Sequence, residues 1–408
     1  VDLVVSLGSP GRVASGLQRI GRAGHGVGEI SEGLLIPRTP SDMLECAAIG
    51  QLMLEGAIEP VQPPKNALDV LAQQIVAMAT VQPLTVAELG ALVRRTTGYR
   101  DLSDVQLTGV LDMLSGRYPS TDLAELRPLI DWNRTLGVLT ARPGARIVAA
   151  THGGTIPDRG LFPVHIGVGG PRVGELDEEM VFEARVGETF VLGASSWRIE
   201  DITRDRVIVS PAPGQPGSLP FWHGGGPGRP IALGRRLGAF TREIGARSTE
   251  DAQTWVVEQT PASADVAHKI VARVHQQREV TGAVPSDRTI VVERFHDELG
   301  DLRICILSPF GSRVHAPWAL ALEQQLSAQV GATVRGMWSD EGIVLTLADI
   351  ERDPWSDTPQ RWTPEPSDIE PLIIDRLGET ALFSGLFREN ASRALLLLRR
   401  SPGRRAPL

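Results

Sequence analysis

The spacing of apolar positions changes several times along the 408-residue chain, and each change marks a different kind of element. Leu3, Val4 and Val5 form an unbroken apolar run, which predicts a strand buried on both faces, as in a parallel sheet. A Gly-rich loop, a helix, a second strand over Gly28–Pro37 and a helix over Ser41–Glu55 complete this first segment. In that last helix Met43, Leu44, Ala47 and Leu52 supply the apolar stripe. Pro60, Pro63 and Pro64 then break the pattern.

Helical spacing returns at Leu68, Leu71, Ile75 and Met78. Thr85 with Glu88, and Ser103 with Gln106, read as capping boxes that open two more helices. A β-hairpin is predicted next, with arms Leu136–Thr140 and Arg146–Ala150 turning at Pro143-Gly144. Three helices followed by a hairpin is the order of a winged helix. Short strands at Thr189–Leu192, Ser196–Ile202 and Arg206–Ser210 then predict a small β-barrel. The remainder mixes a helix over Ala262–Gln277, a hairpin (Thr289–Phe295 with Leu302–Leu307), a helix from Pro317 and a strand over Gly342–Leu347. The fold class expected is multidomain, α/β and α+β.

Composition narrows the class. Hydrophobic content of 42% and charged content of 22% are those of a globular protein, and the length calls for roughly two to four domains. No apolar run approaches the roughly 20 residues that cross a bilayer, and the opening residues lack a signal-peptide pattern. Cys46 and Cys305 are far apart and have no CxxC partner, which argues against a disulfide framework or cysteine zinc site and fits the cytoplasm. The formal charge of −8 excludes a uniformly basic nucleic-acid binder but allows a local basic channel. The chain opens inside a strand-like run without a methionine, so it reads as part of a longer protein.

The most chemically loaded stretch is Gln18–Gly26, QRIGRAGHG. Arginine presents a planar fork of donors that matches phosphate oxygens. Glycine lets backbone approach a phosphate with no Cβ in the way. By itself the stretch fits the start of a surface helix with solvated arginines. It also fits a dinucleotide-binding turn, since GRAGHG follows a strand and matches G-x-x-G-x-G.

The longer string SPGRVASGLQRIGRAGHGVGEISEGLLIP resembles motif VI of superfamily 2 helicases, Q/H-R-x-G-R-x-G-R. The ending GRAGH, with His25 where most families have arginine, resembles the large helicase-related (Lhr) proteins. So do NALDVLAQQIVAMA, LGASSWRIEDITRDRVIVSPAPGQPGSLPFWHG, RICILSPFGSRVHAPWALAL and FRENASRALLLLRRSPGRR, so the resemblance covers essentially the whole chain.

The resemblance implies the end of a second RecA-like domain at 1–62 and a winged helix at 63–158. It implies a β-barrel at 159–235 and a truncated DEAD/H-associated α/β domain at 236–408. It further implies that Arg22 is an arginine finger on the γ-phosphate of ATP, that Gln18 helps organise the cleft and that Arg19 supports it. His25 departs from the commoner second arginine and takes a lesser role. Neither a G-x-x-x-x-G-K-[ST] loop nor a DEAD-like Mg²⁺ box occurs in these residues. The remaining ATP and Mg²⁺ contacts are therefore expected outside the chain, which should be inactive alone. The implied activity is ATP-dependent 3′–5′ movement on single-stranded DNA, with unwinding of DNA or RNA–DNA duplexes in DNA repair.

Two apolar residues are candidate DNA contacts. Trp222, in Pro220-Phe221-Trp222-His223-Gly224, suits either base stacking or closure of the barrel core. Ile156, in a glycine loop after the wing, suits either a wedge between bases or a buried inter-domain contact. Trp197 and Trp318 fit regular elements and read as core. His315 with Asp340, and His152, lack a second ligand at metal spacing and read as structural. Arg399, Arg400, Arg404 and Arg405 suit phosphate contact or a solvated tail. Two other functions fit the residues: a non-enzymatic winged-helix DNA-binding protein, and a nucleotide-dependent oxidoreductase.

Overall fold

The computed structural model describes residues 1–24, 26, 28–118, 126–156, 161–177, 180, 181, 184–192, 195–203, 205–213, 228–298, 300–332, 334–347, 364–378 and 380–397. Contacts group the chain into two compact units, Val1–Val61 with Gly224–Leu377, and Gln62–His223 with Gly378–Leu408.

The first unit opens with β1 (Leu3–Leu7), α1 (Val13–Ile20), β2 (Glu32–Ile36) and α2 (Pro40–Leu54). Strands β1 and β2 pair in parallel, from Leu3 opposite Glu32 to Leu7 opposite Ile36. Within these residues Ser6 of β1 is buried, whereas Leu3 and Val5, expected to be buried, are exposed together with Leu7 and with Leu34 and Ile36 of β2. Helix α1 covers only one face, where a Cβ on Gly33 would lie 2.4 Å from the Ile20 side chain. Helix α2 starts where Thr39 accepts from the Asp42 N–H and Pro40 takes the first turn.

The second unit begins with α3 (Leu68–Ala79), β3 (Leu84–Thr85), α4 (Val86–Arg94) and α5 (Asp104–Leu114). Both capping boxes form as the sequence predicts. The hairpin, however, lies upstream of its predicted place, as β4 (Ile130–Asn133) and β5 (Val138–Ala141), with β5 between β3 and β4. Its turn is set by Asn133, whose Oδ1 accepts from the Thr135 and Leu136 N–H groups, and by Gly137 at φ 63°. Residues Arg146–Ala150, predicted as a strand, belong to α6 (Ala145–Thr151). There Ala145, Val148 and Ala149 pack on the core while Ile147 points to solvent, a helical rather than alternating pattern. Leu71, Ile75, Leu89, Leu111, Ile130 and Leu139 form the centre of this winged-helix core.

Five strands follow: β6 (Leu161–Ile166), β7 (Arg172–Asp177), β8 (Thr189–Leu192), β9 (Ser195–Ile202) and β10 (Val207–Pro211). Their order is β7-β6-β10-β9-β8, with β6 and β10 parallel and the other neighbours antiparallel. The sheet curls until Gly174 of β7 faces Leu192 of β8; a Cβ there would sit 2.7 Å from the leucine. No ladder joins β7 to β8 among the described residues, so these strands form an open half-barrel sheet.

The first unit resumes with α7 (Ile231–Gly245), α8 (Thr249–Gln259) and α9 (Ala264–Thr281). Next come β11 (Val291–His296), β12 (Leu302–Leu307), α10 (Ser312–Val330), β13 (Val334–Ser339), β14 (Gly342–Leu347) and α11 (Pro366–Leu377). The sheet runs β11-β12-β14-β13, antiparallel throughout, and α10 packs Ala319, Leu322 and Leu326 onto it. Helix α10 starts ahead of Pro317 because Asp340 accepts from the Ser312 N–H at 2.7 Å and so caps it earlier. Helix α12 (Ala381–Arg393) belongs to the second unit. Among the described residues no helix is long and apolar enough to cross a membrane.

Candidate functional site

The arginine-bearing stretch is a turn between α1 and β2, and it is fixed from beneath. Ala23 is fully buried, and its carbonyl accepts from the Ser31 hydroxyl at 2.8 Å. Gly24 adopts φ 60°, and its N–H reaches the Val1 carbonyl at 3.0 Å. A Cβ at that position would lie 2.8 Å from the Ile30 carbonyl oxygen, so the turn requires glycine. Helix α1 is held at its other end by Glu59, whose carboxylate accepts from the Val13 and Ala14 N–H groups at 2.7 and 3.0 Å. An acidic group at a helix N-terminus satisfies free donors and opposes the dipole.

Gln18, Arg19 and Arg22 all come out exposed on this frame. Among the described residues no acceptor pairs with the guanidinium of Arg19 or Arg22. His25 lies outside the described residues. Chemically, the turn offers rigidly based cations to an anion that the described chain does not itself supply.

A second arginine of the same unit is built in the opposite way. Arg229 is 2% exposed, and its Nε donates to Glu45 of α2 at 2.9 Å. Its Nη2 donates to Glu45 and to Glu341, while Nη1 donates to the carbonyls of Asp340 at 2.8 Å and Pro309 at 3.2 Å. Burial alone would lower its pKa, but Glu341 and Glu45 outweigh that, and the guanidinium stays charged. The second oxygen of Glu45 accepts from the Ser9 hydroxyl at 2.5 Å, in the loop leading to α1. Arg229 thus ties the α1–α2 segment to the turns after β12 and β13.

The structure separates His315 from any hydrolytic role with Asp340. His315 is fully buried; its Nδ1–H donates to the Ser339 carbonyl at 2.7 Å and its Nε2 accepts from Ser308 at 3.0 Å. Burial pushes its pKa down. The Asp340 carboxylate is taken up by the backbone N–H groups of Arg229 and Ser312. Burial would raise its pKa, yet those bonds hold it below the usual carboxylate range. His152 meets the Thr151 hydroxyl at 2.6 Å. Among the described residues no cluster of His, Cys, Asp or Glu is arranged to hold a metal ion.

Ile156 lies in the second unit and is 83% exposed. Trp222 lies outside the described residues, as do Arg399, Arg400, Arg404 and Arg405. Trp197 and Trp318 are partly buried against the half-barrel and the antiparallel sheet respectively, and Trp197 Nε1 donates to the Leu192 carbonyl at 3.3 Å. Sequence inspection missed Glu45, Glu59, Gln73 and Arg229. No local signal marks them, because their partners are distant in the chain.

Residues 51–219 match the family described as large helicase-related protein, winged helix domain, and residues 284–408 match DEAD/H associated. The chain is 48% identical over 416 residues to a Lhr helicase/probable uracil glycosylase of Mycolicibacterium smegmatis, covering 100% of this chain and 27% of the relative. It is 29% identical over 418 residues to the ATP-dependent helicase Lhr-Core of Saccharolobus solfataricus, covering 100% of this chain and 47% of the relative. The solved Mycobacterium smegmatis helicase Lhr bound to ssDNA and AMP-PNP superposes with a TM-score of 0.79 at 40% identity, over 100% of this chain and 47% of that one. The chain therefore spans between about a quarter and about half of these relatives.

Proposed function

We propose, because the chain belongs to the large helicase-related family of superfamily 2 helicases as a C-terminal portion, that it carries one wall of an ATP-driven DNA motor. The observation that carries this is the arginine turn: exposed guanidiniums on a rigid glycine base, with no acceptor among the described residues. Arg22 acts as the finger that offsets charge on the transferred phosphoryl group, in the manner of trans-acting arginines. Gln18 and Arg19 order the same wall, and His25 has a lesser part. The nucleotide held by the solved neighbour, AMP-PNP, supports ATP as the anion. The rest of the ATP site and the Mg²⁺ ligands belong to parts of the protein beyond these residues, so this chain is inactive alone.

Residues 1–62 form the end of a RecA-like domain, 63–158 the winged helix, 159–235 a β-barrel and 236–408 the DEAD/H-associated domain. The curl of the five-stranded sheet supports the barrel. The single-stranded DNA in the neighbour supports a track that Trp222 and Ile156 touch, by base stacking and by wedging respectively. Movement is 3′ to 5′, and the duplexes opened include RNA–DNA hybrids, in repair of DNA in the cytoplasm. Purified longer protein should hydrolyse ATP when single-stranded DNA is added and displace a strand from 3′-tailed duplexes. Displacement from 5′-tailed substrates only would overturn the polarity. DNA binding with no ATP turnover would replace the motor by a non-enzymatic winged-helix protein.

A further inference from the structure

The loop that presents Ile156 is anchored by a buried amide. Gln73 is 5% exposed on α3, among Leu71, Ala72, Ile75 and Val76 of the winged-helix core. A buried carboxamide is costly unless its hydrogen bonds are made, and here they are. Gln73 Oε1 accepts from the Gly154 N–H at 3.1 Å, and Nε2 donates to the Gly154 carbonyl at 3.1 Å. Both polar groups of one backbone residue are thereby held, as a neighbouring strand would hold them. Nε2 also donates to the Arg393 carbonyl at 3.1 Å, at the end of α12. Arg393 in turn pairs with Asp69 at 2.6 Å, one turn before Gln73 on α3.

The loop is cut to fit this anchor. Gly154 has φ 125°, which side chains disfavour, and a Cβ on Gly153 would lie 2.9 Å from the Ala149 carbonyl. Two residues beyond the clamp stands Ile156, exposed and β-branched, so its χ1 is stiff. A pinned base and a stiff side chain give a rigid apolar projection, which is what separating stacked bases requires.

We propose that Gln73 is a positioning residue: it fixes Ile156 as a rigid wedge during strand separation. This rests on Ile156 touching DNA. The test is a double-mutant cycle in the longer protein, with Gln73→Met, Ile156→Ala and both together. Each variant is read by duplex unwound per ATP hydrolysed, with DNA-stimulated ATP turnover and melting temperature alongside. Met keeps the length of Gln without its amide. Each single variant should lose about fivefold in unwinding per ATP, and the double variant no more than Ile156→Ala alone, because the two act through one element. DNA-stimulated ATP turnover should stay near wild type in Gln73→Met.

If the losses multiply, or if Gln73→Met unwinds normally, Gln73 does not act through Ile156 and the inference fails. If Ile156→Ala itself unwinds normally, the DNA contact fails first and takes the inference with it. Should Gln73→Met not fold, Gly154→Ala disturbs the same clamp from the loop side. Its losses must be non-additive with Ile156→Ala in the same way.

Discussion

Arg22 and Arg229 belong to the same compact unit yet are built for opposite ends. Arg229 has left water, and each face of its guanidinium meets a carboxylate or a carbonyl. Arg22 stays exposed on a turn with no acceptor among the described residues. A buried charge is tolerated only when its partners are built in, whereas an arginine meant for a passing anion must keep its partner outside the fold. The two are also joined. Glu45 bonds both Arg229 and Ser9, so the satisfied arginine braces the loop that leads into α1, and α1 ends at the unsatisfied one.

The sharpest way to break the contrast is Arg22→Ala in the longer protein. ATP turnover should fall on the order of a thousandfold, the usual scale for a lost arginine finger. Single-stranded DNA affinity should hold, and stability should shift by no more than about 0.5 kcal/mol, as for an ordinary surface change. Kinetics, DNA titration and melting of one preparation give all three. A large fall in melting temperature would make Arg22 a framework residue like Arg229 and erase the difference.

Arg229→Met should do the reverse. It strands Glu45 in the interior without its cation, and breaking a buried pair from one side costs about 3–5 kcal/mol. Adding Glu45→Gln should recover much of that, because removing both charges can be nearly neutral. Denaturant unfolding of the single and double variants measures the recovery. A double variant no more stable than Arg229→Met would show that the charge pair is not what ties this unit together.

What could be read from the sequence follows the same division. The capping boxes were legible because their partners lie three residues apart. Arg229 was not: its acceptors are 80, 111, 112 and 184 residues away. Gln73 was not legible either, since its clamp on Gly154 closes 81 residues later. Pro143-Gly144 looked like a hairpin turn, but Gly144, at φ 88°, opens α6 instead. The apolar run at Leu3–Val5 correctly gave a strand.

The smallest effect separates the two surroundings by pH. His315 sits beside the Arg229 cluster, facing Asp340, Arg229 and Glu341. Burial is the main influence and lowers its pKa; Arg229 adds to that, while the bond to Ser339 and the two acidic groups oppose it. Because the folded pKa lies below the unfolded value of about 6.5, the folded state binds fewer protons. The stability from neutral His315 is therefore complete above about pH 6.5 and declines as pH falls below it. Melting temperature should accordingly drop between about pH 7 and 5, before most carboxylates titrate. His315→Gln, which cannot take up a proton there, should melt lower at neutral pH but lose less on acidification. Parallel slopes for wild type and variant would mean that His315 is not held neutral by its burial, and that the cluster around Arg229 is more open to water than its packing indicates.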